Sequence, residues 1–349
     1  MGKKHEGGRL IAHGVFSSGE LSTNQSMRVV WMGAGEIGIP SLKWLVGEPG
    51  FDVVGVFTQP DRPVGRKQAL TPTAIKELAL GQGIPVFQPE SWKKDPDALG
   101  DLQALEPDLI VVMAYGCLLP KGVAEAASLA CVNLHASLLP RHRGASPIQA
   151  AIQAGDEESG ITVMHIAPEL DAGDMIWKES LAIGPDETGG TLHDKLAELG
   201  PTALAAAIPR LLDGTAPRDP QDDSQATHSG KLSRDDGWID WSRPASEIER
   251  RVRAFDPWPG TGTLVAMAGG KKHRLKVFPP VAIEAAGIDV PEPGTVLDSG
   301  NPLEPGLRVT TGDGVLRLFQ LQLEGRSRMD AAVLLRGHPI PPGTCLGKD

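Results

Sequence analysis

The chain has 349 residues, of which 40% are hydrophobic, and a formal net charge of −10 at pH 7. At roughly 100–200 residues per domain this length implies two domains with ordinary packed cores; no apolar run approaches the roughly 20 residues of a membrane helix, and the acidic balance argues against indiscriminate coating of nucleic acid. Three scattered cysteines, Cys117, Cys131 and Cys345, make neither a disulfide framework nor a CxxC metal pair, so a reducing cytoplasm is the natural compartment.

Charge is uneven along the chain. Residues 27–232 hold 16 Lys and Arg against 27 Asp and Glu, a net −11, whereas residues 233–349 hold 15 of each. The downstream part is the better surface for a polyanion.

Residues 1–26 are rich in Gly, Ser and charge, lack the apolar stretch of a signal peptide, and read as a disordered extension. From Met27, Arg28-Val29-Val30-Trp31-Met32 is an apolar strand, followed by Gly33-Ala34-Gly35-Glu36-Ile37-Gly38 and a helical pattern through Leu42 and Leu45. The glycine spacing is GxGxxG, which in a dinucleotide site seats a pyrophosphate on the helix N-terminus. Such a site also needs an acid at the end of the next strand; here the strand ends in Thr58-Gln59-Pro60, with Asp61 past the turn. A tight turn opening a doubly wound sheet is favoured, with an NAD-dependent oxidoreductase as a competing function.

Residues 59–68 form a proline-interrupted loop with Arg62, Arg66 and Lys67, either solvated surface charge or a phosphate clamp on a rigid scaffold. A helix follows over 73–80, then strands near 85–87, 108–114 and 131–134 with helical stretches between. Near-continuous apolar strands alternating with helices indicate a parallel sheet covered on both faces, and ligands of such sheets bind beyond the carboxyl ends of the strands. Asn133 and His135 lie at such an end, two apart and so on the same side.

Downstream, Pro147 opens a helix to about 154, residues 161–166 form a strand, Leu170-Asp171-Ala172-Gly173-Asp174 makes a small-residue loop, and a helix spans 191–212. Singly, Asn133, His135 and Asp171 each have an ordinary structural explanation as turn or capping residues. Together they offer a neutral donor, a group that titrates near neutrality, and a carboxylate that orients it or takes a proton. A metal is not expected: His135 and His142 are too far apart for a helical pair and no cysteine cluster helps.

Residues 213–230 are a polar linker. The second domain, 231–349, has a helix over 246–254 carrying Arg250, Arg251 and Arg253, then short strands near 262–266, 275–278, 294–296, 307–310 and 315–322. That spacing suggests a small barrel. Lys271, Lys272, Arg274 and Lys276 read equally as a solvated hairpin or a face for nucleic acid.

The segment Asn133-Leu134-His135-Ala136-Ser137-Leu138-Leu139-Pro140, with Arg143-Gly144 and Leu170-Asp171-Ala172-Gly173-Asp174, resembles the signature of the folate-dependent formyltransferases. The resemblance implies Asn133, His135 and Asp171 as a catalytic trio, 10-formyltetrahydrofolate as co-substrate, Ser137, Leu138, Leu139 and Pro140 as the wall of the folate site, and no metal. Thr58-Gln59-Pro60-Asp61-Arg62-Pro63 with Gly65-Arg66 is similar to the insertion loop of those members that act on initiator methionyl-tRNA. Lys231-Leu232-Ser233 through Ile239-Asp240-Trp241, and Arg253 through Gly260, resemble the opening of their second domain.

The implied architecture is α/β: a doubly wound, mostly parallel, Rossmann-like catalytic domain at 27–212, a linker at 213–230, and a small OB-like β-barrel at 231–349. The implied activity is transfer of the formyl group to the α-amino group of initiator methionyl-tRNA, with tRNA contacts from Arg62, Arg66, Lys67, Lys271 and Lys272, in a cytoplasmic monomer without an obligate protein partner. Glycinamide ribonucleotide or a nucleotide-linked amino sugar is the alternative acceptor within the family, and a tRNA-binding module with a degenerate enzyme domain is an alternative outside it. The resemblance covers roughly residues 27–346. It departs at Lys67-Gln68-Ala69, where members often carry more glycine and lysine, which implies a weaker grip on the acceptor stem, and at Arg336-Gly337-His338-Pro339-Ile340, which is less basic than in some and leaves tRNA contacts there open.

Overall fold

The computed structural model describes residues 26–65, 68–267, 270–285, 291–298 and 305–347. The extension before residue 26, and Arg66 and Lys67, lie outside the described residues. Five parallel strands, β1 (Met27–Gly33), β2 (Phe51–Phe57), β3 (Val86–Phe87), β4 (Leu109–Met113) and β5 (Ala130–His135), are joined by antiparallel β6 (Glu158–His165) and β7 (Met175–Ala182). The order is β7-β6-β5-β4-β1-β2-β3.

Alternate side chains of the central strands feed two cores, as period-2 geometry requires. Val29, Trp31, Val111 and Val132 pack with α1 (Ile39–Gly47), α2 (Ala74–Gly81), α4 (Pro147–Ala154) and α5 (Gly189–Leu212). Val30, Met32, Ile110 and Cys131 pack on the other face with Leu102 of α3 (Asp97–Ala104), Tyr115 and Val123. Burial on both faces explains why these strands read as continuous apolar runs.

An edge strand and a hairpin are among the elements that escaped the sequence reading. Strand β7, with Lys178, Glu179 and Ser180, sits at the sheet edge and alternates buried or half-buried with exposed residues over most of its length, so it has no apolar run. The basic loop contains a small antiparallel hairpin, Arg62–Val64 with Ala69–Thr71.

Among the described residues the second domain holds a six-stranded antiparallel sheet: β8 (Thr261–Ala266), β9 (Lys272–Glu284), β10 (Leu307–Thr310), β11 (Val315–Leu323) and β12 (Leu346–Gly347) run in the order β10-β11-β9-β8-β12, and the short strand Met329–Asp330 pairs with β11 off that path. The register of β9 shifts between Phe278 and Val281, where Pro279 and Pro280 have no amide hydrogen to give the ladder. Residues 294–297 close the curl. Thr310 N donates to Thr295 O at 3.0 Å and Leu297 N to Arg308 O at 2.9 Å on the β10 side, while Leu346 N donates to Gly294 O and Val296 N to Thr344 O, both at 2.8 Å, on the β12 side. The result is a small OB-like barrel.

Helix α6 (Ala245–Ala254) joins the domains. Its Ile248 and Val252 lie in the barrel core, whereas Ala254 and the following Phe255 lie in the core of the first domain. The amide of Gly190 donates to Asp256 O at 2.9 Å, fastening the start of α5 to the same turn.

Candidate active site

Strand β5 ends at His135, and its alternation puts Asn133 and His135 on one side, paired with Met164 and Thr162 of β6. His135 is buried, and its Nε2 lies 2.9 Å from the main-chain oxygen of His142. A carbonyl only accepts, so Nε2 carries the hydrogen and Nδ1 is the nitrogen turned toward Asp171, 3.5 Å from Oδ2.

Asp171 arrives on the loop after β6 with a left-handed backbone, φ 54°. Its Oδ2 accepts the amide of Gly144 at 2.8 Å, and its Oδ1 faces Asn133 Nδ2 at 3.4 Å. The Asn133 and His135 separations exceed the roughly 2.7–2.9 Å of a charge-assisted bond. Both contacts to the carboxylate are therefore long, the looseness common in a site awaiting substrate. Gly144 makes this possible: its φ is 110°, and a Cβ built there would stand 2.3 Å from Ser229 O.

The Ser137 to Pro140 turn adjoins the trio. Thr162 pins it, donating to Ser137 O at 2.7 Å and accepting Leu139 N at 3.1 Å. Ser137 and Leu139 are buried, Ser137 Oγ donating to Arg141 O, while Leu138 and Pro140 are half-buried. Leu138 lines a cleft of about 570 Å³ with Arg141, His142 and Asp156; His142 Nε2 meets Asp156 Oδ2 at 2.7 Å.

Two further residues at the strand ends went unread. Leu118, after β4, and Leu170, beside Asp171, are 77% and 60% exposed. Their loops, through Cys117, Leu119 and Ile166, adjoin one apolar cluster. Exposed leucines next to buried polar chemistry suit a flat, largely apolar ligand. For Leu118 the signal available in sequence was the Leu118-Leu119-Pro120 run, a few residues past an apolar strand.

The glycines at the end of β1 answer to packing. A Cβ on Gly33 would stand 2.6 Å from Met113 O, and one on Gly38 would stand 2.5 Å from the Trp31 ring. The neighbouring strand and the indole thus account for two glycines of the GxGxxG spacing.

Of the basic residues, Arg62 donates to Gln59 Oε1 at 2.7 Å, and Gln59 Nε2 donates to Tyr115 O at 2.9 Å, tying the hairpin to the loop after β4. Its base is further held by Asp61, which pairs with Lys76 at 2.8 Å; bonds from Gln88 and then Lys76 hold the Asp61 carboxyl below its ordinary value. Lys271 and Lys272 are exposed at the start of β9 in the barrel. The structure therefore brings Asn133, His135 and Asp171 together with the Ser137 to Pro140 turn beside them, and leaves Lys271 and Lys272 on the other domain. Among the described residues no group of three or more His, Cys, Asp or Glu side chains is placed to hold a metal, and no helix is long and apolar enough to cross a membrane.

Comparison with known proteins identifies the family. The family described as "Formyl transferase" matches residues 33–208, and "Formyl transferase, C-terminal domain" matches residues 231–339. A protein of Akkermansia muciniphila named methionyl-tRNA formyltransferase is 50% identical over 315 residues, covering 90% of this chain and 97% of its own. One of the same name from Pseudomonas paraeruginosa is 48% identical over 324 residues, covering 92% and 100%. Among solved structures, an N-formyltransferase from Helicobacter canadensis in complex with folinic acid and dTDP-3-aminofucose shares the fold at a TM-score of 0.60 and 15% identity, covering 84% of this chain and 99% of that one. HypX from Aquifex aeolicus in complex with tetrahydrofolic acid does so at 0.54 and 17%, covering 89% and 47%. With both domains matched and relatives at half identity over nearly the whole chain, the protein belongs to the formyl transferase family.

Proposed function

We propose that the protein transfers the formyl group of 10-formyltetrahydrofolate to the α-amino group of initiator methionyl-tRNA. One observation carries the reading: a carboxylate, an imidazole and a primary amide converge within 3.5 Å at the strand ends of a chain whose near-full-length relatives are named methionyl-tRNA formyltransferase. The near-full-length relatives favour this acceptor over glycinamide ribonucleotide or a nucleotide-linked amino sugar.

Moving a formyl group from a folate nitrogen to an amine requires stabilised charge on the formyl oxygen and a destination for the amine's proton. Asn133 Nδ2 and His135 Nδ1, with Nε2 already committed to His142 O, supply the donors, Nδ1 acting as one in the doubly protonated form of the ring. Asp171 orients the imidazole and takes the amine's proton directly or through water, and that proton goes to the folate nitrogen as its bond to the formyl carbon breaks. The folate supplies the formyl carbon, with Leu118, Leu170 and the Ser137 to Pro140 turn as its wall.

Arg62, Arg66, Lys67, Lys271 and Lys272 are the proposed phosphate contacts, from domains divided at 27–212 and 231–349 by the segment 213–230. The enzyme is taken to act as a cytoplasmic monomer without an obligate protein partner. The test is turnover beside binding: His135→Ala and Asp171→Ala lose about 100- to 1,000-fold in kcat while tRNA binding stays near wild type. Near-wild-type turnover in either variant removes that residue from the mechanism.

A further inference from the structure

A left-handed aspartate at the centre of a site must be held there by its surroundings, and the residues holding Asp171 come from the segment between the domains. Gln221 spends its amide group on the Asp171 loop: Nε2 donates to Asp171 O at 2.8 Å and to Gly173 O at 2.9 Å. Its Oε1 accepts Arg143 Nε at 2.9 Å. The Arg143 guanidinium is buried and pairs through Nη2 with Asp223 Oδ1 at 2.7 Å. Arg143 lies between His142, whose carbonyl holds His135 Nε2, and Gly144, whose amide binds Asp171 Oδ2.

We infer that Gln221 is a positioning residue for the reaction, setting Asp171 against His135 by fastening the loops that carry both ends of their contact. The inference rests on Asp171 as the orienting and proton-accepting carboxylate proposed above. Gln221 is itself fixed, because Met175 N donates to Asp219 O at 2.8 Å on one side of it and Arg143 N donates to Thr227 O at 2.8 Å on the other. The chemistry is specific to a primary amide of this length. Two donors and one acceptor are needed at once, which a carboxylate, a hydroxyl or a thioether does not provide, and asparagine is one methylene short.

Two substitutions separate positioning from bulk structure. Gln221→Met keeps shape and loses the bonds to Asp171 O, Gly173 O and Arg143. Gln221→Glu keeps and strengthens the Arg143 contact but turns a carboxylate oxygen against two carbonyls. A merely structural tie to Arg143 makes Glu the better replacement; positioning of Asp171 makes it the worse one. The expected result is kcat lowered about 10-fold in Gln221→Met and about 100-fold in Gln221→Glu, the scale of a misplacement near 1 Å, with KM for methionyl-tRNA and for 10-formyltetrahydrofolate within about twofold of wild type.

Thermal unfolding is measured alongside. If Gln221→Met unfolds at the assay temperature, Gln221→Asn takes its place with the same expectation. Wild-type kcat in both variants, a loss confined to KM, or Glu outperforming Met overturns the inference. Asp171→Asn is assayed in parallel: if it too turns over normally the catalytic reading has failed, whereas an inactive Asp171→Asn beside active Gln221 variants removes Gln221 alone.

Discussion

His135 Nε2 meets the main-chain oxygen of His142 at 2.9 Å, seven residues further along the chain. Because the partner is backbone, the bond survives any side chain at 142 and depends on the course of the turn. It assigns Nδ1 to the reaction and leaves Asn133 Nδ2 as the second donor, so deletion of Asn133 is the cleanest test of a two-donor site.

Asn133→Ala removes a side chain whose one hydrogen bond among the described residues is the 3.4 Å contact to Asp171. Its loss should cost about 100- to 1,000-fold in kcat, with a thermal midpoint close to wild type. Steady-state kinetics with melting curves measure both, and a midpoint loss that accounts for the lost activity would assign Asn133 to folding.

Gly144→Ala should damage fold and site together. The new Cβ meets Ser229 O at 2.3 Å in a backbone at φ 110°, a strain expected to lower stability by about 2 kcal/mol or more in urea unfolding. It also displaces the amide that Asp171 Oδ2 accepts, so kcat falls below what the remaining folded fraction explains. An unchanged urea midpoint contradicts the packing argument.

His165 gives a pH signature. Its Nε2 is buried without a hydrogen-bond partner among the described residues, and burial first, then the charge of Arg218, with Asp174 opposing, lowers its pKa from the ordinary 6.5. The unfolded chain then binds the proton more readily than the folded one, so this contribution is present above 6.5 and lost as pH falls toward the lower folded value. His165→Asn, neutral throughout, should lose less stability than wild type between about pH 7.5 and about pH 5.5 in urea titrations. Parallel curves for the two proteins exclude His165 as the source.

Phosphate contacts dominate nucleic-acid affinity and its salt dependence. Arg66→Ala should weaken use of methionyl-tRNA, flatten the dependence of rate on salt by about one counterion, and leave folate binding unchanged. The same salt slope in variant and wild type removes the residue from the tRNA contact.

Much of this was readable in advance, for identifiable reasons. The central strands are buried on both faces, so Val29 to Met32 and Leu109 to Met113 show as apolar runs, and the two-residue spacing of Asn133 and His135 follows from strand geometry alone. Strand β7 did not show because its edge position exposes Lys178 and Ser180. The arrival of Asp171 at His135 depends on a left-handed residue and on the amide of Gly144, 27 positions away, which no local pattern records. Residues 213–230 read as polar, and polarity does not distinguish a solvated side chain from Gln221, whose amide is bonded to Asp171 O and Gly173 O.

Acceptor identity is the central claim, and one competition assay addresses it. The protein is given 10-formyltetrahydrofolate with methionyl-tRNA, glycinamide ribonucleotide and a nucleotide-linked amino sugar together, and each formylated product is quantified. The account predicts formylmethionyl-tRNA as the dominant product, lost in Asp171→Asn. Formylation of either small acceptor in preference to methionyl-tRNA, or tRNA binding with no turnover, would contradict it.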